Sequence, residues 1–118
     1  MLEVVIQDEN GNALTNSICV PAEFLMAPEE PQYRCLCFVD PYGDTTFNQL
    51  QFAPLLDELA RLRTSSRKDE AREAIEQVAT LVARYRNTPH TYLKLIGDYR
   101  NATRVTDFVS TSTGTERN

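Results

Sequence analysis

Hydrophobic and polar positions alternate at the start of the chain, which predicts a β-strand there. Leu2, Val4 and Ile6 recur at every second position. In a strand this spacing places the three side chains on one face and leaves the other face partly hydrated, so we expect the strand near a sheet edge. The Asn10–Gly11 pair tolerates the positive φ of a tight hairpin turn, and the partner strand is expected over residues 13–20.

Three later segments have strand-like patterns, and an irregular segment precedes them. Residues 33–39 are apolar on both faces, which is typical of a central strand. Residues 45–47 predict a short strand, and residues 91–96 combine β-branched and aromatic side chains before Gly97. The segment 21–31 contains three prolines and three glutamates, so we expect an irregular acidic excursion with one helical turn.

Helical spacing in the middle of the chain predicts two amphipathic helices. Pro54 is expected in the first turn of the first helix, where its missing N–H is tolerated. Ser66 is expected to be the N-cap of the second helix, with Asp69 completing a capping box. Apolar positions then keep helical spacing from Ala71 to Tyr85.

Length and composition indicate one folded domain. The chain has 118 residues, of which 42% are hydrophobic and 25% charged, as in globular proteins that fold without disulfides or metals. We expect a single α+β domain over residues 1–98, with a small antiparallel or mixed sheet of about four to five strands covered on one face by two α-helices. Residues 99–118 are expected to form a poorly ordered C-terminal tail because they contain few apolar side chains.

Cysteine usage and the absence of targeting patterns predict a cytoplasmic protein. The N-terminus lacks the pattern of a signal peptide, and no apolar run is long enough to cross a membrane, so no membrane binding is expected. Cys19, Cys35 and Cys37 lie in apolar segments, which predicts buried free thiols. A zinc site would need His90 and has unusual spacing, so no metal or cofactor is predicted.

Charge divides the chain into two unequal halves. Residues 1–60 contain ten acids and one base, a formal charge of -9, whereas residues 61–118 contain eleven bases and seven acids, a formal charge of +4. This asymmetry favours a basic protein partner, and the overall acidity disfavours nucleic acid. The candidate partner-binding residues come from the irregular acidic segments and are Glu23, Glu29, Glu30, Asp40, Tyr42 and Asp44.

Three motifs resemble those of small bacterial α+β proteins. They are Asp-Pro-Tyr-Gly-Asp at 40–44, Phe-Asn-Gln-Leu-Gln at 47–51 before a leucine-rich helix, and Tyr-Leu-Lys-Leu-Ile-Gly-Asp at 92–98. The layout over residues 33–98 is similar to that of immunity proteins of polymorphic-toxin systems. This resemblance implies a cytoplasmic, non-catalytic inhibitor that blocks a toxin domain through an acidic surface, and it carries over no functional residue.

Two other classes of function fit the same sequence. The first is a small metal-dependent hydrolase, in which three carboxylates converge at one rim of the sheet to bind a divalent cation: Asp40, Asp44 and Asp98. The second is a structural or oligomerising module that docks on a second copy through three adjacent apolar residues: Phe24, Leu25 and Met26.

Overall fold

The computed structural model describes residues 1–97, which contain four β-strands and two α-helices. The strands are β1 (Leu2–Asp8), β2 (Ile18–Val20), β3 (Asp44–Asn48) and β4 (Thr91–Ile96), and the helices are α1 (Phe52–Ser65) and α2 (Asp69–Arg84). The strands form one sheet in the order β2-β1-β4-β3, and every neighbouring pair is antiparallel. The predicted α+β class is therefore confirmed. The expectation that the first strand lies near a sheet edge is wrong, because β1 pairs with both β2 and β4.

One face of the sheet supplies much of the hydrophobic core. Leu2, Val4 and Ile6 project from this face of β1 and are fully buried. In the register of β1 with β4, Val4 lies opposite Leu95 and Ile6 lies opposite Leu93. Both helices contribute side chains to the same cluster: Leu55, Leu59, Leu62, Ile75, Val78 and Val82. Each of these large apolar side chains contributes roughly 2 kcal/mol when it is fully buried.

The hairpin turn after β1 forms as predicted, but the strand that follows is shorter. Gly11 has a φ of 84°, the left-handed conformation that favours glycine in a tight turn. The Asp8 carboxylate accepts hydrogen bonds from the backbone N–H groups of Asn10 and Asn12, both at 2.9 Å. These bonds to the ionised form hold the pKa of Asp8 below its usual value. Only residues 18–20 of the predicted 13–20 strand become β2.

The predicted central strand at residues 33–39 is wrong. This segment forms turns and a short 3-10 helix, Leu36–Phe38, and the central strands of the sheet are β1 and β4. Tyr33, Leu36 and Val39 are buried in the core, whereas Cys37 and Phe38 are exposed. The apolar content therefore indicated burial correctly for only part of the segment, and the backbone has a different set of hydrogen-bond partners.

The predicted start of α1 is correct to within two residues. A 3-10 turn, Gln49–Gln51, precedes the helix. Asn48 and Gln51 form a reciprocal capping box around that turn, which supplies acceptors for backbone N–H groups. Pro54 therefore lies in the first turn of α1, as expected.

The prediction that Ser66 caps the second helix is wrong. The Ser66 hydroxyl donates to the Leu62 carbonyl at 2.8 Å and so closes the last turn of α1. Helix α2 begins three residues later at Asp69, and Lys68 occupies its N-cap position without a side-chain cap bond. Ser66 therefore bonds a carbonyl at the C-terminus of α1, to which the Ser65 hydroxyl also donates at 3.0 Å, rather than an unpaired N–H at the N-terminus of α2.

The acidic excursion at residues 21–31 has the predicted irregular form, with one 3-10 turn at Ala22–Phe24. Of the three cysteines, only Cys35 is buried, and the prediction of burial is wrong for Cys19 and Cys37. Within residues 1–97, no helix is both long enough and apolar enough to span a membrane. The predicted tail at 99–118 lies outside the described residues.

Candidate protein-binding surface

Residues 38–44, here called the 38–44 loop, expose two aromatic side chains between the short 3-10 helix and β3. Phe38 is 72% exposed and Tyr42 is 56% exposed. Asp40 lies between them in the sequence and is also exposed. Tyrosine and phenylalanine are enriched in protein interfaces relative to the rest of the surface.

Side-chain hydrogen bonds fix the backbone of the 38–44 loop. The Asp40 carboxylate accepts a hydrogen bond from the Tyr42 N–H at 2.9 Å, which is an Asx turn. The Thr45 hydroxyl accepts from the Asp40 N–H at 3.0 Å and donates to the Phe38 carbonyl at 3.5 Å. The exposed rings therefore project from a backbone whose turn is already formed.

The end of β4 supports the same loop by direct backbone contact. The Gly97 N–H donates to the Gly43 carbonyl at 2.8 Å. A Cβ atom at position 97 would lie 2.5 Å from the Gly43 nitrogen and 2.6 Å from its carbonyl oxygen. Only glycine at position 97 permits this close approach of the two segments.

A buried carboxylate, Glu58, holds the chain that leads into the loop. Its side chain accepts hydrogen bonds from the N–H groups of Arg34, Cys35 and Leu36 at 2.9 to 3.0 Å, and Glu58 is only 3% exposed. These N–H groups consequently have a carboxylate as their partner rather than a neighbouring strand. A buried carboxylate is normally stabilised by hydrogen bonds of this kind.

Sequence reasoning missed the role of Glu58, because a glutamate in a helix is ordinarily exposed. The structure starts α1 at Phe52, so Glu58 lies in the second turn. The missed signal is its spacing, since Glu58 falls at i+3 from Leu55 on the buried stripe of the helix. An acid on an apolar helical stripe predicts a buried partner with hydrogen-bond donors.

The environment of Cys35 makes its thiol unreactive near neutral pH. Burial, reinforced by the negative charge of Glu58 and a hydrogen bond with it, raises the pKa of Cys35 to about 11. A thiol with that pKa stays protonated near neutral pH and is a poor nucleophile. His90, the only histidine, lies with Nδ1 3.2 Å from a carboxylate oxygen of Glu9.

The predicted site residues divide into two groups in the structure. Asp40, Tyr42 and Asp44 belong to the 38–44 loop, and all three are exposed. The Asp44 carboxylate lies 3.4 Å from the ammonium group of Lys94 on β4, so part of its charge is already neutralised. The other three acids lie in the separate 21–31 segment and are also exposed: Glu23, Glu29 and Glu30.

Two alternative sites were predicted from the sequence, a carboxylate metal site and an apolar docking surface. Among residues 1–97, no three histidine, cysteine, aspartate or glutamate side chains are grouped closely enough to hold a metal ion. Asp98, the third member of the predicted carboxylate set, lies outside the described residues. The predicted docking surface is wrong for Leu25, which is fully buried in the core, although Met26 is 43% exposed.

Neither a protein family, nor a curated protein sequence, nor a solved structure matches this chain, so its function is argued from the site alone.

Proposed function

We propose that this chain is a non-catalytic protein-binding domain, an immunity-type inhibitor that blocks a basic toxin domain in the cytoplasm. The observation that carries the proposal is the 38–44 loop, in which Phe38 and Tyr42 are exposed on either side of Asp40. Large aromatic side chains at the centre of an interface typically contribute about 2 kcal/mol or more each when they are buried by a partner.

The fixed backbone of the loop favours tight binding. Asp40, Thr45 and Gly97 hold the loop by hydrogen bonds that exist before any partner arrives. Binding to a preformed loop loses less conformational entropy than binding to a loop that must first become ordered. The exposed rings can therefore be buried with little rearrangement of the backbone.

The exposed acids of residues 1–60 define the kind of partner. Asp40 is exposed and lies between Phe38 and Tyr42 in the sequence, so it can bind an arginine or lysine of the partner. The formal charge of residues 1–60 is -9, and the exposed Glu29 and Glu30 contribute to it. A field of this sign accelerates the approach of a positively charged protein.

The test begins with capture of the partner from the native host by the wild-type chain. A Phe38→Ala/Tyr42→Ala double variant should bind the captured protein about 100-fold to 1,000-fold more weakly, because it loses two aromatic contacts. Leu50→Ala is the matched control, since Leu50 is 82% exposed and lies beyond the other end of β3. Equal binding by the double variant and the control would contradict the proposal.

Charge reversal tests the basic character of the partner separately. A Glu29→Lys/Glu30→Lys variant should fold normally, because both side chains are exposed. Its association with the captured protein should be slower, and the association rate should depend less on salt concentration. A captured protein that is acidic, or that associates with the reversed variant at the wild-type rate, would contradict the electrostatic part of the proposal.

A further inference from the structure

Among the strands of residues 1–97, β2 lies at one edge of the sheet, and the hydrogen-bond pattern shows which of its backbone groups face outward. The Ile6 N–H donates to the Thr15 hydroxyl at 3.2 Å and its carbonyl accepts from the Leu14 N–H at 2.7 Å, so Ile6 bonds toward the β2 side of β1. The N–H and C=O groups of an antiparallel strand alternate in direction, so Leu2 and Val4 bond toward the same side.

Cys19 therefore presents its backbone to the free side of β2. The residues opposite Leu2 and Val4 are Val20 and Ile18, whose backbone groups face β1, whereas Cys19 lies opposite Glu3. Its N–H and C=O consequently point away from β1. The Cys19 side chain is also exposed, and Ile18–Val20 contains neither a charge nor a proline that would protect an edge strand.

A groove runs beside this edge and separates it from α2. It has a volume of about 860 Å³, and its walls are residues 13–16 and 18 on one side and a stripe of α2 on the other. Leu14 is 43% exposed at the groove. The wall formed by α2 carries opposite charges at its two ends, Glu76 and Arg84, with Thr80 between them.

We propose that two copies of this chain associate by pairing their β2 strands antiparallel, around a two-fold axis beside Cys19. The two sheets would then form one continuous eight-stranded antiparallel sheet. At the centre, the N–H of each Cys19 donates to the carbonyl of the other Cys19. This interface is separate from the 38–44 loop and does not depend on the proposed function.

The charges on α2 are complementary to a second copy of themselves. Glu76 and Arg84 are each four residues from Thr80, about 6 Å along the helix in either direction. A two-fold axis turns α2 of one copy antiparallel to α2 of the other, which brings Glu76 of each copy toward Arg84 of its partner. Within its own chain Glu76 lies 3.2 Å from Arg63, and both side chains are exposed. An exposed ion pair contributes less than about 1 kcal/mol, so Glu76 can exchange it for the guanidinium group of a partner's α2.

The other free edge, on β3, is less suited to self-pairing. It begins with Asp44, a charged residue, and Thr45 is bonded to the adjacent loop at Asp40. The same alternation of backbone groups places the N–H of Thr46 on the free side of β3. Thr46 therefore provides a matched control position for substitutions at Cys19.

Sedimentation velocity of the full-length chain over a micromolar concentration series tests the proposal. The wild type should shift from monomer to dimer, and Cys19→Pro should weaken the dimer about 30-fold because two intermolecular hydrogen bonds are lost. Thr46→Pro, which also removes an outward N–H, should leave the dimer unchanged. A wild type that stays monomeric, or an equal effect of both prolines, would overturn the proposal.

Exchanging charges on α2 gives a second test of the dimer, which does not require Cys19→Pro to fold. Arg84→Glu should weaken the dimer by placing acids against acids, and the Glu76→Arg/Arg84→Glu double variant should restore it by exchanging the two charges. Circular dichroism checks that each variant is folded. A folded Arg84→Glu variant that dimerises as the wild type does, or a double variant that restores nothing, would overturn the proposed two-fold arrangement.

Discussion

Replacing Glu58 by alanine is expected to be among the most destabilising single changes in this chain. The carboxylate accepts hydrogen bonds from the N–H groups of Arg34, Cys35 and Leu36. Alanine removes all of these acceptors at once and leaves space at a position that is only 3% exposed.

The loss in free energy of unfolding depends on which of the three N–H groups water can reach. The bonds to Cys35 and Leu36 are buried, whereas the bond to Arg34 is only partly buried, so water can replace Glu58 at Arg34. Two buried donors without acceptors cost about 2 kcal/mol each, so Glu58→Ala should lower the free energy of unfolding by roughly 4 kcal/mol. Glu58→Gln retains one acceptor oxygen and should lower it by roughly 2 kcal/mol.

Urea unfolding followed by circular dichroism measures both losses, with Asp57→Asn as the matched control on the exposed side of the same helix. The control should change the free energy of unfolding by less than about 0.5 kcal/mol. A Glu58→Ala loss smaller than about 1 kcal/mol would refute the reasoning, because it would mean that the three N–H groups find acceptors elsewhere.

Three further predictions concern Gly97, Cys35 and Ser66. Gly97→Ala should lower the melting temperature and disorder the 38–44 loop, since its Cβ would lie 2.5 Å from the Gly43 nitrogen; unchanged amide exchange in the loop would argue against this. Folding raises the pKa of Cys35 from 9.0 to about 11. The thiol of the unfolded chain therefore ionises at lower pH than the thiol of the folded chain. The free energy of unfolding should decrease as the pH rises from 9.0 through about 11. Cys35→Ala should remove that part of the pH dependence, and an identical pH profile would contradict it. Ser66→Ala should cost about 0.5 to 1 kcal/mol through the lost bond to Leu62, with the amides at the start of α2 keeping their exchange protection.

Local patterns predicted the regular elements of the fold well. The alternation over residues 2–6, the helical spacing of the leucines and the β-branched segment at 91–96 each became the expected element. These patterns succeed because burial of one face selects the period of the backbone directly. The acidic excursion and the hairpin glycine at Gly11 were predicted for equally local reasons.

Two of the wrong predictions depend on hydrogen bonds that the local sequence pattern does not show. Residues 33–39 have the composition of a strand, but the N–H groups of Arg34, Cys35 and Leu36 bond to Glu58, which is more than twenty residues away. No local pattern encodes that partner. Similarly, Ser66 has the sequence context of an N-cap, and only the position where α1 ends shows that it bonds backward to Leu62.

The sequence indicated several residues of the candidate surface but not the contacts and the exposure of its side chains. Its residues Asp40, Tyr42 and Asp44 were identified from their turn-forming and acidic character. Phe38 was missed because it was assigned to a buried strand, whereas the 3-10 turn leaves it 72% exposed. The ion pair between Asp44 and Lys94 was also missed, since it depends on the register of β3 with β4.

Titration calorimetry of the captured basic protein with the wild type and with the Phe38→Ala/Tyr42→Ala variant tests whether the 38–44 loop is the binding surface. We expect one-to-one binding by the wild type, and an affinity about 100-fold or more lower for the double variant at every salt concentration, because aromatic burial is not screened by ions. Wild-type affinity in the double variant, with its fold intact by circular dichroism, would show that the 38–44 loop is not the binding surface.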